Sequence, residues 1–285
     1  MIDRDGYPAG VPCWVDISHD DAPAAAAFYG DLLGWETEDA MPPEAPGHYI
    51  QGSIGGRLVA GVGSRPDEVP SGTGWVTYMW VDDADAAQAR AVELGGSVLM
   101  PAADVGDAGR TALLADPEGA VFAVWQAGRH RGAQAVNEAG SWNFSGVHSR
   151  DPEAAIAFYG GLFGWEASPA DPETGGTMLV RRPGYGEHLE TLEPGIVARM
   201  DEMGAPEGFA DAVAWISPLE NGDEPHWDVT FAVDDADAAA ARAQELGGTV
   251  LMPPTDMPWV RMTVVRDPQG GVATLSKFVP PDTEG

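Results

Sequence analysis

VDDADAAQARAVELGGSVLMP at residues 81–101 returns as VDDADAAAARAQELGGTVLMP at residues 233–253, with three differences in 21 positions. A second pair precedes it in each half of the chain: AFYGDLLGWE at 27–36 and AFYGGLFGWE at 157–166. Similarity at this level over such a distance indicates that one structural unit occurs twice. At roughly 100–200 residues per domain, the 285 residues also suffice for two hydrophobic cores.

The two copies differ in length at one place. The FYG motifs lie 130 residues apart and the VDD motifs 152 apart, so the second copy contains about 22 extra residues. We predict a first domain over 1–130, a linker over 131–140 and a second domain over 141–285, with an inserted loop at about 170–225. Long loops of this kind serve as lids or binding loops or only decorate a surface, and both readings stay open.

Each copy divides again into two modules with the order βαβββ. In the first module, a short strand over 12–18 precedes a helix over 22–33, which Asp20 or Asp21 caps and Gly34 ends. Three strand-like segments follow, and the same pattern then restarts before the linker. The predicted fold class is therefore α+β, with four βαβββ modules.

Composition argues against several classes of partner. Lys and Arg number 15 against 45 Asp and Glu, and the resulting formal charge of −30 disfavours nucleic acids and anionic membranes, which select for basic patches. The single cysteine, Cys13, excludes an internal disulfide framework. We find no secretory signal and no apolar run of about 20 residues, and we predict a cytoplasmic location.

Three motifs together carry a family resemblance. They are Ala-Phe-Tyr-Gly-x-Leu-x-Gly-Trp at the end of the first helix, Val-Asp-Asp-x-Asp-Ala-Ala at the start of the second, and Asp-Pro-x-Gly before the last strand. In this combination the chain resembles the vicinal oxygen chelate superfamily, which includes glyoxalase I, extradiol dioxygenases, fosfomycin-modifying enzymes and bleomycin-sequestering proteins. The resemblance implies two domains of curled mixed sheets around clefts. In catalytic members it also implies a divalent metal held by His and Glu or Gln from the first and last strands.

The positions that would hold this metal carry other residues here. Carried over one by one from the helix-capping and Asp-Pro-x-Gly aspartates, they are Trp14, Val76, Ala123, Phe144, Asp228 and Thr274. The remaining position, on the fourth strand, falls near 59–61 in the first copy and is not placed further. Among these residues only Asp228 has a side chain suited to coordinate a metal, whereas a catalytic site needs about three protein donors. We therefore predict no metal and no cofactor.

The same strands predict what lines the clefts instead, because alternate strand residues share a face. This lining is largely apolar and aromatic with a few polar groups, which is typical of a site for a bulky organic ligand. The predicted ligand-binding residues are Trp14, Asp16, Val76, Tyr78, Trp80, Trp125, Phe144, His148, Asp228, Thr230 and Thr274.

Three residues are candidates for acid–base chemistry if the protein is an enzyme. Asp16 would be a carboxylate among aromatic rings, where burial raises its pKa. His226 and Asp228 are two positions apart on one strand, share a face and can form an oriented pair. The other histidines that we interpret as surface or loop residues are His19, His130 and His188.

These features favour a protein that binds a small aromatic molecule without a metal, like the drug-sequestering members of the superfamily. Two alternatives stay open. One is a metal-independent isomerase, lyase or hydroxylase-like enzyme of small-molecule or secondary metabolism. The other is a glyoxalase- or dioxygenase-like metalloenzyme with relocated ligands. The sequence does not decide which modules share a cleft or whether the chain forms a homodimer.

Overall fold

The computed structural model describes residues 4–66, 74–169, 175–219 and 222–279. In these ranges the chain forms two similar halves, each with the order βαβββ-βαβββ, which confirms the predicted α+β class and the four modules. The first half consists of β1 (Pro12–His19), α1 (Ala22–Leu33), β2 (Glu36–Asp39), β3 (Tyr49–Ile54), β4 (Arg57–Ser64), β5 (Val76–Trp80), α2 (Ala84–Glu93), β6 (Ser97–Val105), β7 (Gly109–Ala115) and β8 (Val121–Ala127). The second half consists of β9 (Trp142–Ser149), α3 (Pro152–Phe163), β10 (Glu166–Pro169), β11 (Met178–Arg181), α4 (Tyr185–Leu192), α5 (Ile196–Glu202), β12 (Ala212–Pro218), β13 (His226–Ala232), α6 (Ala236–Glu245), β14 (Thr249–Met257), β15 (Val260–Arg266) and β16 (Val272–Phe278).

Each half closes one eight-stranded mixed sheet of its own. The strand orders are β2-β3-β4-β1-β5-β8-β7-β6 and β10-β11-β12-β9-β13-β16-β15-β14. In the first sheet β1 runs parallel to β4 of its own module and antiparallel to β5 of the next module. In the second sheet β9 pairs with β12 and β13 in the same way. The two modules of one copy therefore share one sheet, and the chain has two clefts.

The first helix of each copy begins and ends where its sequence signals lie. The Asp21 carboxylate accepts the backbone N–H of Ala24 at 3.0 Å, and Gly34 ends α1 with a φ of 76°. Asp151 and Gly164 do the same for α3. A residue with a side chain is strained at such a φ, so glycine is the favoured helix stop. Among the described helices none is long and apolar enough to cross a lipid bilayer.

The inserted segment of the second copy is partly helical, so the prediction of a loop is wrong there. It joins β11 to β12, where the first copy has only the turn Gly55-Gly56 between β3 and β4. It contains α4, α5 and a short 3₁₀ turn over Phe209–Asp211. In α4, Tyr185 and Leu189 are four residues apart and both buried. This packing of one helical face stabilises a segment that its glycines and prolines had marked as irregular.

The repeated motifs serve the contact between the two copies. Tyr29 of the first FYG motif donates its hydroxyl to Asp267 of the second Asp-Pro-x-Gly turn at 2.7 Å. Reciprocally, Tyr159 of the second FYG motif donates to Asp116 of the first turn at 3.0 Å. Both pairs are buried, and buried polar groups of this kind are costly when they lack partners. The motifs that revealed the duplication therefore hold the copies together.

The tryptophan that follows each of these helices makes a second reciprocal contact. Trp35 Nε1 donates to the carbonyl of Gly140, and Trp165 Nε1 donates to the carbonyl of Gly10, each at 2.7 Å. Both indoles are buried, and their N–H groups are satisfied only by reaching into the other copy. The interface between the copies is thus part of the hydrophobic core, in which residues of both halves form one cluster.

Candidate ligand-binding clefts

The two faces of each sheet have different partners. In the first copy, Ile17 and Thr77 face the second copy, where the Thr77 hydroxyl donates to Ser145 Oγ at 2.8 Å. The alternate residues of β1 and β5 face the other way, with Trp14 in register with Tyr78 and Asp16 in register with Val76. This second face is the one that the superfamily resemblance assigns to the cleft. We call it the first cleft, and its counterpart on β9 and β13 the second cleft.

The first cleft is filled at its centre by the protein's own side chains. Asp16 lies in register with Gly61 of β4, so glycine occupies the fourth-strand position that the sequence left unplaced. A Cβ at Gly61 would come within 2.6 Å of the Tyr49 hydroxyl, which occupies that space. Glycine at 61 therefore admits the ring of Tyr49 into the middle of the cleft.

Asp16 is the centre of a hydrogen-bond network in the first cleft. It accepts the hydroxyl of Tyr78 at 2.8 Å and the hydroxyl of Tyr49 at 3.1 Å. Trp14 Nε1 in turn donates to the Tyr49 oxygen at 2.9 Å. Burial raises the pKa of Asp16 to about 6, although both tyrosine hydroxyls stabilise the carboxylate and act in the opposite direction. Asp16 therefore lies among aromatic side chains, and its carboxylate bonds to two of the protein's own tyrosines.

His130 closes the same cleft from the linker. Its ring packs edge-on against Trp14 at 4.5 Å and against Trp125 at 5.5 Å between centroids. The Trp125 indole N–H donates to the His130 carbonyl at 3.0 Å. Burial lowers the pKa of His130 to about 4, and its Nε2 has no hydrogen-bond partner in the described residues. His130 thus lies in a loop, one of the two settings predicted for it, but its ring packs into the cleft and not at the surface.

The second cleft keeps the backbone but changes the side chains. Phe144 and Trp215 contact each other with ring centroids 5.5 Å apart, and both are only partly buried. Trp215 lies in register with Gly146, and Gly146 lies in register with Asp228 of β13. A Cβ at Gly146 would meet Asp228 Oδ1 at 2.6 Å, so the carboxylate occupies space that Asp16 fills in the first copy. The second cleft thus offers exposed aromatic surface beside a carboxylate.

A histidine from each of two neighbouring strands stands next to this carboxylate. His148 Nε2 lies 3.3 Å from Asp228 Oδ1, with side chains 32% and 30% exposed. His226 stacks on His148 at 4.7 Å with ring planes 9° apart, and its own Nδ1 lies 2.8 Å from the Glu224 carbonyl. The predicted residues His226, Asp228 and His148 are therefore brought together, but Asp228 contacts His148 of β9 rather than His226.

The other predicted ligand-binding residues fall in different surroundings. Val76 is buried in a small apolar cluster with Leu113 and Ala123 on the cleft face of the first sheet, whereas Thr230 and Thr274 lie side by side on β13 and β16 of the second sheet. Trp80 packs on Tyr7 at 6.2 Å and under the Arg131 guanidinium at 5.1 Å. Its contacts place it at the end of β5 beneath the N-terminal segment, apart from the Asp16 network.

The donor set does not fit the divalent metal that the fold family implies. The strand positions that would hold it carry Trp14, Gly61, Val76 and Ala123 in the first cleft and Phe144, Trp215, Asp228 and Thr274 in the second. One carboxylate falls short of the three or so donors of a catalytic site. Across the described ranges no group of three or more His, Cys, Asp or Glu side chains converges elsewhere.

Sequence reasoning missed three residues that shape the clefts. Tyr49 lies on a middle strand, and no motif indicated that it reaches Asp16. His130 follows the last strand of the first copy, where composition suggested only a linker. Trp215 lies in β12, beyond an insertion that obscured the alignment of the copies. His19 was likewise interpreted as a surface residue but is buried beside Asp267 at 2.8 Å.

Two curled sheets of paired βαβββ modules, docked through reciprocal motifs, define a tandem glyoxalase-like fold. The chain belongs to the glyoxalase/bleomycin resistance protein/dioxygenase superfamily, whose family model matches residues 13–124, and a glyoxalase-like domain model matches residues 146–276. It is 38% identical to the protein described as "Putative glyoxylase CFP32" of Mycobacterium tuberculosis, with 98% of this chain and 99% of that protein covered. It is 34% identical to the anthracycline biosynthesis protein DauV of a Streptomyces species, with 98% of each covered. The Mn(II)-bound glyoxalase of Novosphingobium aromaticivorans shares the fold, with a TM-score of 0.59, 16% identity and coverage of 97% of this chain and 86% of that one.

Proposed function

We propose that the second cleft binds a bulky aromatic small molecule without the help of a metal. The observation that carries this proposal is the partly exposed pair Phe144 and Trp215 beside Asp228. Two aromatic rings left partly open to solvent supply a flat apolar surface, and a nearby carboxylate and imidazole supply the few polar contacts that fix orientation.

The contrast with the first cleft supports the choice of site. There Trp14 is 2% exposed and Trp125 is 6% exposed, and their indole N–H groups are already bonded to the protein. A guest in the first cleft would have to displace Tyr49 or Tyr78 from Asp16, which costs buried hydrogen bonds. A guest against Phe144 and Trp215 displaces only solvent from the exposed parts of the rings.

The relatives support the chemical class of the guest. One of them is named for anthracycline biosynthesis, and anthracyclines are compounds with fused, flat rings. A flat polycycle presents the kind of surface that stacks on tryptophan and phenylalanine. Because that relative is similar along the whole chain, we extend the class of compound, and not a particular reaction, to this protein.

The test is a titration of intrinsic tryptophan fluorescence with an anthracycline. We expect saturable quenching, with affinity reduced about tenfold or more in Trp215→Ala, since one large aromatic contact is worth about 1.4 kcal/mol or more. Trp259→Ala is the matched control, because Trp259 is also a partly buried tryptophan of the second copy but stacks on Phe278 and not on Phe144. Absence of saturable quenching, or equal losses in both variants, would contradict the proposal.

A metal-independent enzyme of secondary metabolism is the second candidate function. The observation that favours it is the group of His148, His226 and Asp228 on the open side of the second sheet. A histidine held by a carboxylate can accept or return a proton near neutral pH. Turnover of a bound polycycle that is unaffected by chelators and loses its pH dependence in His148→Gln would support this function. Turnover abolished by chelators would contradict it.

A further inference from the structure

A cavity of about 90 Å³ lies between the two copies, next to the start of β9. Arg4 and Tyr7 of the N-terminal segment line it together with Tyr185 of the inserted helix α4. Trp142 and Phe144 of β9 also line it, and most of the other lining side chains are apolar. The first cleft has no counterpart to α4, because a two-glycine turn replaces the insertion there.

Arg4 is the one charged side chain among the described residues that line this cavity. It is 5% exposed, and its guanidinium lies 5.2 Å from the ring centroid of Tyr7 and 5.8 Å from that of Tyr185. Nη1 donates to the Tyr185 hydroxyl at 2.6 Å, whereas Nε has no hydrogen-bond partner. In the described part of the chain no carboxylate pairs with this guanidinium.

A buried cation without a counterion is costly, and two aromatic faces offset only part of that cost. Because the guanidinium lines the cavity, a guest there can accept hydrogen bonds from it. Guanidinium groups bind carboxylates with charge-assisted hydrogen bonds and fixed geometry. A carboxylate in the cavity would supply the missing countercharge.

We propose that this cavity is a second binding site, which takes a small monocarboxylate with a short apolar body. The carboxylate pairs with the Arg4 guanidinium, and the hydrocarbon part lies against Trp142 and Phe144. The volume favours a small guest, because an apolar cavity of about 150 Å³ holds benzene and this one is smaller. This site differs from the second cleft because its guest must carry a negative charge, although Phe144 borders both.

The test is isothermal titration with butyrate and with butyramide at about 0.15 M salt, where exposed charges are screened. The two probes have nearly the same shape, and only butyrate carries a charge. We expect one butyrate site per chain and at least about tenfold weaker binding of butyramide. No saturable binding of butyrate, or equal binding of the two probes, would overturn the proposal without any variant.

Two arginine variants locate the site. Arg4→Gln is expected to weaken butyrate binding about tenfold or more. The matched control Arg131→Gln removes the same charge from a guanidinium that lies over Trp80 outside the cavity and is expected to leave binding unchanged. Equal losses in both variants would overturn the assignment. Near-ultraviolet circular dichroism verifies that Arg4→Gln is folded, and unchanged anthracycline quenching in this variant separates this proposal from the proposed function.

Discussion

The two clefts of this molecule share a backbone and differ in what fills them. At the strand position of Asp16 in the first cleft the second has Gly146, and at the position of Gly61 the second has Trp215. In the first cleft the aromatic side chains bond to one another and to Asp16, and the centre is closed. In the second, the aromatic rings remain partly exposed beside Asp228. The same duplicated fold thus contains one cleft that its own side chains close and one whose aromatic rings stay partly exposed.

The largest expected effect follows directly from this contrast. Trp14→Ala should lower the free energy of unfolding by about 3–5 kcal/mol, because Trp14 is 2% exposed and its loss leaves a cavity in the core. Trp215→Ala should cost less than about 1.5 kcal/mol, because its ring is already partly in solvent. Urea unfolding of both variants measures the difference. Equal losses would show that the second cleft is as closed as the first.

The next largest effect is a pH dependence of the free energy of unfolding, which Asp16 of the first cleft causes. The pKa of Asp16 is about 6 in the folded state and 3.8 in the unfolded state. Between these two pH values the folded chain therefore holds a proton that the unfolded chain has lost. The contribution of Asp16 to stability therefore falls as pH rises from about 4 to 6. Asp16→Asn should gain up to about 3 kcal/mol relative to the parent protein over this range.

For His130 we expect the opposite pH dependence of the free energy of unfolding, so a His130 variant serves as the control for Asp16→Asn. Its folded pKa of about 4 lies below the 6.5 of the unfolded chain, so its contribution to stability rises as pH increases from 4 to 6.5. His130→Gln should therefore lose stability relative to the parent protein over that range. Chemical unfolding at several pH values measures both slopes. Slopes of the same sign in the two variants would contradict the assignment.

A smaller loss of stability is expected when a tyrosine hydroxyl is removed at the interface between the two copies. Tyr159→Phe should cost about 1–3 kcal/mol, because Asp116 Oδ2 loses the Tyr159 hydroxyl in a buried site. Tyr29→Phe should cost less, because Asp267 Oδ2 keeps His19 at 2.8 Å. Thermal unfolding of the two variants decides the order, and a larger loss in Tyr29→Phe would show that the His19 contact does not compensate.

The smallest effect is expected at the open side of the second cleft. His148→Gln should change the free energy of unfolding by no more than about 0.5–1 kcal/mol, since both His148 and Asp228 are about a third exposed and solvent weakens their attraction. Thermal unfolding checks this value. A loss as large as that of Trp14→Ala would mean that the pair supports the fold rather than a guest.

Much of the fold was predictable from the sequence because it is encoded locally and twice. Asp21 and Gly34 mark the ends of α1, and Asp151 and Gly164 mark those of α3. The resemblance then implied curled mixed sheets around clefts, but which modules share a sheet became clear only from the strand pairing. The helices α4 and α5 were missed because the glycine- and proline-rich composition conceals them. Packing of one face stabilises α4, whereas no residue of α5 is buried.

The candidate site was predictable only in part. The strand positions of Asp16 and Asp228 follow from the two-residue period, but their partners depend on contacts between distant segments. Tyr49 reaches Asp16 only because Gly61 leaves space for it, and His148 reaches Asp228 across two strands. Arg4 lies far from the insertion in sequence, and only the folded chain brings it to Tyr185.

A crystal structure of the chain with a bound anthracycline tests the central claim most directly. We predict one guest per chain, lying against Phe144 and Trp215 in the second cleft, with the Asp16 network of the first cleft intact. A guest seated between Trp14 and Tyr78, or one guest in each cleft, would contradict the division of roles between the two copies.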